Sequence, residues 1–507
     1  MLAELLELPL GDVLRRAAAT WPAQPALLGE TRSLTWAELD AEVDRVAVGW
    51  EDAGMGPGTA IAFVLDKRPE VVVGFLACAR IGAIFVPVNF KLQADQVEDQ
   101  FRVAGVSAVV WEPGHEPLAK RLVRSVRWSI RVDQMDPGAS EAGRRSAFVA
   151  TADTPCYYNY TSGSTGRPKG AITTSRNIVA NAVATAEGLG FAANDVYLGM
   201  FSVFAHPHEL FHRSILYGGA FVVVDSLSPR HIAETIQRFR VTWMMAVPSF
   251  YEMLLDFQDG ASGGNKPDLG SLRVLEAGGA YVSPAALERM EQSFTARFLP
   301  VWGSTETTGV GLGMLAEGPR RPGSTGKPIP GYVVRVVGED GRDVPVGEVG
   351  ELWIRGDAVA LGYVNQPEET AAQFHDGWYA TRDLVYTDAD GFVYFSGRRS
   401  EMLKIGGIRV FPLEIEQVVA DHPEVRNVVV VRAEERLRGE IARAIVQAAP
   451  GSTLTVRALQ AWCRARLASY KVPRVVEFWQ AIPTLPNGKV DKKAVLLVPL
   501  DAARDER

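Results

Sequence analysis

The sequence predicts an α/β protein with a large, multilayered N-terminal domain, a β-rich subdomain and a small α+β C-terminal domain. Between residues 60 and 250, short β-branched segments alternate with helical patterns, which is typical of parallel α/β layers. After residue 323, short strands are instead separated by Asp-Gly turns, which predicts antiparallel sheet. At 507 residues, the chain is longer than one hydrophobic core usually supports, so two or more domains are expected.

The elements of the large domain follow in chain order. A helix is expected over residues 34–50, where Thr35 can act as the N-cap and Glu38, three residues later, completes a capping box. The strand-like segments of the α/β part lie at 60–65, 83–87, 108–111, 221–224 and 243–247. Those of the β-rich part lie at 333–337, 350–354 and 392–395.

The C-terminal residues form a separate, smaller pattern. Its elements are a helix that begins at Pro412, strands at 427–431 and 442–447, and a helix at 456–467. We place the domain boundary near Ser400, which gives domains of residues 1–399 and 400–507. The second unit has the size of a small independent domain.

Composition and charge narrow the classes of function. Charged residues make up 22% of the chain and the formal net charge is −7, so no nucleic-acid partner is expected. The cysteines Cys78, Cys156 and Cys463 are far apart, which argues against a disulfide framework or a cysteine-based zinc site and favours the cytoplasm. The longest apolar run, residues 71–88, is interrupted by Arg80, so a buried helix and strand are expected there instead of a membrane span.

Residues 160–170 are the most informative segment. Glycines let backbone N–H groups approach a ligand, hydroxyls donate to phosphate oxygens, and Lys169 supplies a positive charge. The segment therefore predicts a polyphosphate-binding loop. It differs from the P-loop of common NTPases, because Gly170 follows the lysine where those proteins have Ser or Thr. The candidate contacts are Thr161, Ser162, Gly163, Ser164, Thr165, Gly166 and Lys169.

A second segment, residues 302–306, combines an aromatic side chain, a glycine and a carboxylate. Trp302 can stack on an adenine, and Gly303 leaves room for a planar ring. The Glu306 carboxylate can hold Mg²⁺ against phosphates, because magnesium prefers oxygen ligands. Each feature alone also fits an ordinary turn, but their combination with the first segment predicts a nucleotide site.

These two segments resemble the signatures of the adenylate-forming superfamily, which includes acyl-CoA synthetases, the adenylation domains of peptide synthetases and beetle luciferases. The resemblance extends from about residue 34 to residue 494, with every major motif in order. It implies ATP, Mg²⁺ and coenzyme A as cofactors and a carboxylic acid as the substrate. It also implies that the small domain moves between two half-reactions.

The resemblance also gives roles to single residues. Lys489 would reach the substrate carboxylate and the α-phosphate, and His206 would occupy a turn that carries a gating side chain. With Glu306, Thr161 and Lys169, these two residues make up the implied catalytic set. The remaining implied contacts are Gly278, Gly279 and Ala280 beside the adenine, Thr305 at a phosphate, Asp383 at both ribose hydroxyls, Arg398 at the ribose and phosphate, and Gly407 along the pantetheine path.

Two positions depart from the superfamily pattern. Arg382 stands where a Tyr-x-Thr-Gly-Asp motif usually has its glycine, which puts the geometry of that loop in question. Ser400 stands at the hinge, where Asp or Lys is usual, and a looser hinge is expected because serine lacks a charge. A degenerate, non-catalytic member is therefore an alternative that the sequence leaves open.

The residues around His206 bear on the substrate. Amino-acid-adenylating domains place Asp after the phenylalanine of this turn, whereas Ala205 follows Phe204 here. A buried ammonium without a carboxylate partner is costly, so a simple fatty or aromatic acid is favoured over an α-amino acid. A contact from His208 or Glu209 would imply a polar group on that acid, with His208 and His212 starting a helix that faces the acyl pocket or solvent.

The sequence therefore predicts a cytoplasmic, AMP-forming carboxylic acid–CoA ligase. One alternative is an adenylation enzyme that loads the acid onto the phosphopantetheine arm of a carrier protein. Another is a zinc hydrolase, because residues 208–212 form a literal HExxH pattern with Glu234 as a candidate third ligand. Whether the chain forms a homodimer is left open.

Overall fold

The computed structural model describes residues 2–136, 144–161, 169–260, 266–279, 282, 284–435, 439–484 and 490–499. The α-helices in these residues are α1 (Leu2–Leu6), α2 (Leu10–Thr20), α3 (Trp36–Asp52), α4 (Pro69–Ile81), α5 (Ala94–Ala104), α6 (Glu116–Leu122), α7 (Ser175–Leu189), α8 (His212–Tyr217), α9 (Pro229–Phe239), α10 (Pro248–Gly260), α11 (Pro284–Phe294), α12 (Pro367–Gln373), α13 (Pro412–Ala420), α14 (Val456–Arg464) and α15 (Lys492–Leu497).

The strands are β1 (Pro25–Gly29), β2 (Leu34–Thr35), β3 (Ala60–Val64), β4 (Ile84–Pro87), β5 (Val106–Trp111), β6 (Trp128–Arg131), β7 (Pro155–Thr161), β8 (Lys169–Thr174), β9 (Val196–Gly199), β10 (Ala220–Val223), β11 (Trp243–Ala246), β12 (Val274–Gly278), β13 (Arg297–Ser304), β14 (Gly309–Gly313), β15 (Lys327–Pro328), β16 (Tyr332–Val337), β17 (Gly350–Gly356), β18 (Phe374–His375), β19 (Trp378–Thr387), β20 (Val393–Arg398), β21 (Leu403–Ile405), β22 (Ile408–Val410), β23 (Val425–Glu435), β24 (Gly439–Ala448) and β25 (Val475–Phe478).

The predicted elements are present with small shifts of their ends. Helix α3 begins after Thr35, whose hydroxyl oxygen accepts the Glu38 N–H at 3.3 Å, while the Glu38 carboxylate accepts the Thr35 N–H at 2.8 Å. The predicted capping box is therefore confirmed. The apolar run 71–88 forms the buried helix α4 and strand β4, as predicted. Helix α14 ends at Arg464, three residues earlier than predicted.

Two largely parallel sheets form the large domain. The first has nine strands in the order β15-β14-β13-β12-β11-β9-β10-β1-β2, and the second has six in the order β6-β5-β3-β4-β7-β8. Within them, β14, β15, β2 and β8 pair antiparallel with their neighbours. This arrangement confirms the predicted parallel α/β layers.

One apolar core joins these two sheets. Phe75 of α4 packs against Phe85 of β4 with ring centroids 4.7 Å apart, and against Phe211 at 5.4 Å. Phe211 in turn contacts Phe221 of β10 at 6.3 Å. All four rings are fully buried, so an unbroken aromatic path connects the sheets and fixes the loops at their edges.

The β-rich and C-terminal parts each have an antiparallel sheet. The strand order in the β-rich sheet is β16-β17-β19-β18, with β20 beside β19. The order in the C-terminal sheet is β22-β21-β24-β23, with β25 parallel to β24. The C-terminal sheet has its own core around Leu403, Val446 and Leu459. The proposed boundary at residues 399 and 400 lies between β20 and β21. Among the described helices, none is long and apolar enough to cross a membrane.

Candidate active site

Several of the predicted site residues lie at the carboxyl ends of strands in the two largely parallel sheets. Strand β7 ends at Thr161, β9 at Gly199, β12 at Gly278 and β13 at Ser304. In α/β sheets, ligands bind outside the carboxyl ends of the strands. This placement explains why segments more than 100 residues apart in sequence can contribute to one site.

The predicted phosphate loop connects two neighbouring antiparallel strands. Thr161 at the end of β7 pairs in register with Lys169 at the start of β8. The backbone around the loop is therefore a strand–loop–strand, which differs from the strand–loop–helix of common NTPases. Ser162, Gly163, Ser164, Thr165 and Gly166 lie outside the described residues.

Lys169 is buried among groups that neutralise it. Its ammonium forms an ion pair with Glu369 of α12 and donates to Gln373 Oε1 at 3.2 Å. It also lies 5.2 Å from the centre of the Tyr363 ring. A phosphate that binds here would compete with the Glu369 carboxylate for the same ammonium.

Glu306 is a buried carboxylate that hydroxyl groups hold in place. The Tyr363 hydroxyl donates to Glu306 Oε1 at 2.7 Å. Burial, together with the Glu306 charge, raises the pKa of both Tyr363 and Tyr379, so the two phenols keep their protons as donors. Among the described lysines and arginines, none forms an ion pair with Glu306. A buried carboxylate of this kind, with hard oxygen atoms and no ion-pair partner among the described lysines and arginines, fits a magnesium ion.

Trp302, Asp383 and Arg398 form one contact group. Trp302 Nε1 donates to Asp383 Oδ2 at 2.8 Å, and Arg398 Nε donates to Asp383 Oδ1 at 3.0 Å. Asp383 on β19 lies opposite Arg398 on β20 in the antiparallel register. The Asp383 side chain is 6% exposed whereas that of Arg398 is 58% exposed, so the carboxylate is fixed at the edge of solvent. Residues chosen separately from sequence are thus in contact.

Arg382 adopts a backbone conformation that favours glycine. Its φ is +64°, in the left-handed region that glycine adopts without penalty. Its N–H donates to Glu351 Oε1 at 2.9 Å. The departure from the superfamily pattern therefore puts a side chain at a position whose backbone favours glycine, at a cost in backbone strain.

The local backbone explains why several of the predicted positions are glycine. Gly279 has a φ of +84° just after β12, and Ala280 lies outside the described residues. A Cβ on Gly303 would lie 2.3 Å from the carbonyl oxygen of Gly309, so close strand approach requires that glycine independently of any adenine. Gly406 and Gly407 have φ of +59° and +84° and form the two-residue turn between β21 and β22.

The HExxH pattern does not form a continuous helix. Residues Pro207–Leu210 form a 3₁₀ turn, Phe211 has a φ of −126°, and α8 begins only at His212. His208 and His212 therefore do not share one helical face, as a zinc peptidase would need, and Glu234 is exposed on α9. Both histidines are fully buried, so the expectation that they could face solvent was wrong.

The turn after β9 carries polar groups toward the interior. His206, with a φ of +55°, places its Nδ1 3.4 Å from Glu209 Oε1 and 3.5 Å from Asn159 Nδ2. His208 Nε2 lies 3.1 Å from the Thr308 carbonyl oxygen. Burial raises the pKa of Glu209 to about 8 and lowers that of His208 to about 4.

Lys489 lies outside the described residues. The described residues on either side, Thr484 and Val490, pair in an antiparallel bridge. Ser400 is exposed in a 3₁₀ turn between β20 and β21. Its neighbour Arg399 forms an ion pair with Glu351 at 3.4 Å. The hinge role and the catalytic role of these residues stay predictions.

Sequence reasoning missed Tyr363 and Glu369. Tyr363 is 57 residues from its partner Glu306, and Glu369 is 200 residues from Lys169. Glu369 lies in the first turn of α12, where acidic residues are common because they interact with the helix dipole. The sequence around Tyr363 and around Glu369 contains no motif that marks either residue as part of a site.

Two family models match the chain. One, described as AMP-binding enzyme, matches residues 14–364, and the other, described as AMP-binding enzyme C-terminal domain, matches residues 414–489. Together they confirm the superfamily that the motifs predicted.

Individual relatives match over nearly the whole chain. A feruloyl-CoA synthase of an Amycolatopsis species is 32% identical over 496 residues, which cover 96% of this chain and 98% of the relative. A fatty acid–[acyl-carrier-protein] ligase of Streptomyces coeruleorubidus is 30% identical over 92% of both chains. The solved o-succinylbenzoate CoA synthetase of Bacillus subtilis, in complex with its acyl-adenylate intermediate, has a TM-score of 0.85 at 27% identity, over 97% of this chain and 99% of that one.

Proposed function

Since the chain belongs to the AMP-binding enzyme family, we propose that it is an ATP-dependent carboxylic acid–CoA ligase that works through an acyl-adenylate. The observation that carries this proposal is the contact of Trp302, Asp383 and Arg398 beside the buried carboxylate of Glu306. An aromatic ring, a ribose acceptor and a magnesium carboxylate are the groups that an adenylating site needs. The contact of Trp302 with Asp383, and the position of Trp302 four residues before Glu306, support this assignment.

In the first half-reaction, one oxygen of the substrate carboxylate attacks the α-phosphorus of ATP. A bond forms between that oxygen and phosphorus while the bond to the pyrophosphate oxygen breaks, and the acyl-adenylate remains. Asp383 accepts from the ribose hydroxyls, Trp302 packs on the adenine beside Gly278 and Gly279, and Lys169 binds the departing pyrophosphate. Negative charge that develops on the phosphorus requires fixed positive groups.

Glu306 would hold the magnesium ion, because its carboxylate is buried, fixed by Tyr363 and without a described cationic partner. When bound, the ion supplies charge neutralisation of the phosphate oxygens. Lys489 supplies a second positive charge at the reacting carboxylate and α-phosphate. The role of Thr305 is to donate to a phosphate oxygen nearby.

In the second half-reaction, the C-terminal domain rotates about Ser400 and Gly407 moves to the pantetheine path. The thiolate of coenzyme A attacks the acyl carbonyl carbon. The bond between that carbon and the bridging oxygen breaks, and AMP leaves with this oxygen. Two ion pairs join the domains in the described structure, Arg426 with Asp256 and Arg409 with Glu339. Both are solvent-exposed, and such pairs are worth at most about 1 kcal/mol each, so rotation can break them at little cost.

The acid is a simple fatty or aromatic one, because Ala205 offers no carboxylate for an ammonium. The feruloyl-CoA synthase relative favours an aromatic acid. The fatty acid–[acyl-carrier-protein] ligase relative supports a second candidate function, in which a carrier protein accepts the acyl group instead of coenzyme A. A cytoplasmic location fits the unpaired, buried cysteines, and light scattering of the purified protein tests for a homodimer.

The test is ATP-dependent pyrophosphate release over a panel of fatty acids, benzoates, cinnamates, dicarboxylates and amino acids, each with and without coenzyme A. We expect one acid class to give AMP and a thioester only when coenzyme A is present. Adenylate that transfers to a purified carrier protein but not to coenzyme A would establish the second candidate. No pyrophosphate from any acid would contradict both.

A further inference from the structure

The turn after β9 holds a cluster of nitrogen and oxygen ligands to which the two half-reactions above assign no step, although the resemblance places one of them, His206, at the gating turn. One ring nitrogen each of His206 and His208 and one carboxylate oxygen of Glu209 all lie within 4.8 Å of one another. His208 and Glu209 are buried, at 0% and 4% exposure, and the His206 side chain is 23% exposed. Two of the three ligands are therefore shielded from solvent, and solvent reaches the cluster at His206.

The tautomer of His208 prepares it as a ligand. A carbonyl oxygen can only accept, so His208 Nε2 carries the proton that it donates to Thr308 O at 3.1 Å. The lone pair is then on Nδ1, which is buried and has no hydrogen-bond partner among the described residues. Metal-binding histidines typically donate their second ring N–H to a backbone carbonyl in this way.

Glu209 presents a second ligand group with a buried oxygen. Its Oε2 is shielded from water and has no hydrogen-bond partner in the described part of the chain. The nearby Arg213 is already committed to Glu276, with two contacts of 2.6 and 3.0 Å. An unpaired buried carboxyl oxygen is costly, and a bound cation removes this cost.

One pair of these ligand atoms already has the spacing that a small transition metal needs. Zinc binds nitrogen and oxygen at about 2.0–2.2 Å, which in a tetrahedron separates the ligand atoms by roughly 3.4 Å. His206 Nδ1 and Glu209 Oε1 are already 3.4 Å apart. We propose that His206, His208 and Glu209 form a second metal site, separate from Glu306, that binds Zn²⁺ or a similar divalent transition metal through two imidazoles and one carboxylate.

This site differs from the HExxH pattern in its ligands and its consequence. His212 and Glu234 take no part, and no hydrolysis is implied. A metal here would tie the turn after β9 to the segment that carries Thr308, two residues after Glu306. It would therefore brace the wall of the adenylation site.

Cobalt(II) titration of the chelator-stripped full chain tests the proposal, because tetrahedral cobalt has a visible absorption that zinc abolishes on displacement. We expect one equivalent of cobalt per chain and a rise in Tm with zinc. Glu209→Gln, which keeps the side-chain size, should weaken binding at least about tenfold and remove the Tm rise. His115→Gln should change neither, although His115 belongs to the half-buried Asp66, Glu112 and His115 group.

The outcomes that overturn the proposal are equally defined. Absence of cobalt absorption in the native chain would overturn it, and so would absorption that survives in Glu209→Gln or disappears in His115→Gln. If Glu209→Gln does not fold, as judged by circular dichroism, His206→Gln replaces it because His206 is partly exposed. Retained stoichiometric binding in that variant contradicts the assignment.

Discussion

Tyr363→Phe should weaken magnesium binding at Glu306 without abolishing it. The Tyr363 hydroxyl donates to the buried Glu306 carboxylate at 2.7 Å, while its ring lies over Lys169. The phenylalanine keeps the ring and removes only the donor. The perturbation is therefore confined to the orientation of one carboxylate.

A hydrogen bond to a charged group contributes about 1.5–3 kcal/mol. Since about 1.4 kcal/mol is a factor of ten, the lower end of this range corresponds to roughly a tenfold change. Loss of a group that orients a metal ligand typically costs about 10–100-fold in affinity. We expect the magnesium concentration for half-maximal pyrophosphate release to rise about tenfold, with the rate at saturating magnesium largely restored.

The assay is a magnesium titration of pyrophosphate release at saturating ATP and acid. Tyr394→Phe is the matched control, because its hydroxyl donates to Asp388 at 3.2 Å in the hairpin of β19 and β20, and its titration should match the native one. An unchanged titration for Tyr363→Phe would refute the view that Tyr363 orients Glu306. Tighter magnesium binding would show that the hydroxyl competes with the metal.

The other predictions concern the second domain, the strained loop and a buried lysine. Lys489→Ala should slow adenylation by about 10²-fold or more, measured as ATP–pyrophosphate exchange, and a native exchange rate would remove Lys489 from the mechanism. Gly407→Leu should slow thioester formation while exchange persists; Gly391→Leu, at a comparable φ of +79° in another turn, should spare both. Arg382→Gly should raise the free energy of unfolding by roughly 0.5–1 kcal/mol, because relief of left-handed strain exceeds the added chain entropy; denaturant unfolding that shows a loss would contradict this. Burial lowers the pKa of Lys67 to about 8, so above pH 8 the unfolded chain binds more protons than the native chain. The free energy of unfolding should therefore rise by up to about 1.4 kcal/mol per pH unit toward about pH 10, relative to Lys67→Met. Parallel profiles of unfolding free energy against pH for the two proteins would contradict this.

Much of the fold followed from local pattern. The Thr35–Glu38 box marked the start of α3, and β-branched runs marked the parallel strands, because these signals depend on neighbours in sequence. The break at Phe211 did not follow. The HExxH spacing suggests one helix, but Phe211 packs against Phe75 in the core, and this tertiary contact overrides the local pattern.

The site shows the same division. The residue types at Trp302 and Asp383 indicated a nucleotide site, yet their direct contact spans 81 residues and is visible only in three dimensions. The pairing of Lys169 with Glu369 spans 200 residues and had no signal in the sequence. Chemistry that a single side chain defines could be predicted, whereas the partners that orient it depend on packing between distant elements.

The central claim is that the acid's own oxygen attacks the α-phosphorus. It is tested most directly by running the complete reaction with an acid labelled with ¹⁸O in both carboxylate oxygens and measuring the AMP by mass spectrometry. The account predicts one ¹⁸O in each AMP, because the bond between the acyl carbon and the bridging oxygen breaks when the thiolate attacks. Unlabelled AMP, or label that appears in inorganic phosphate together with ADP, would contradict it.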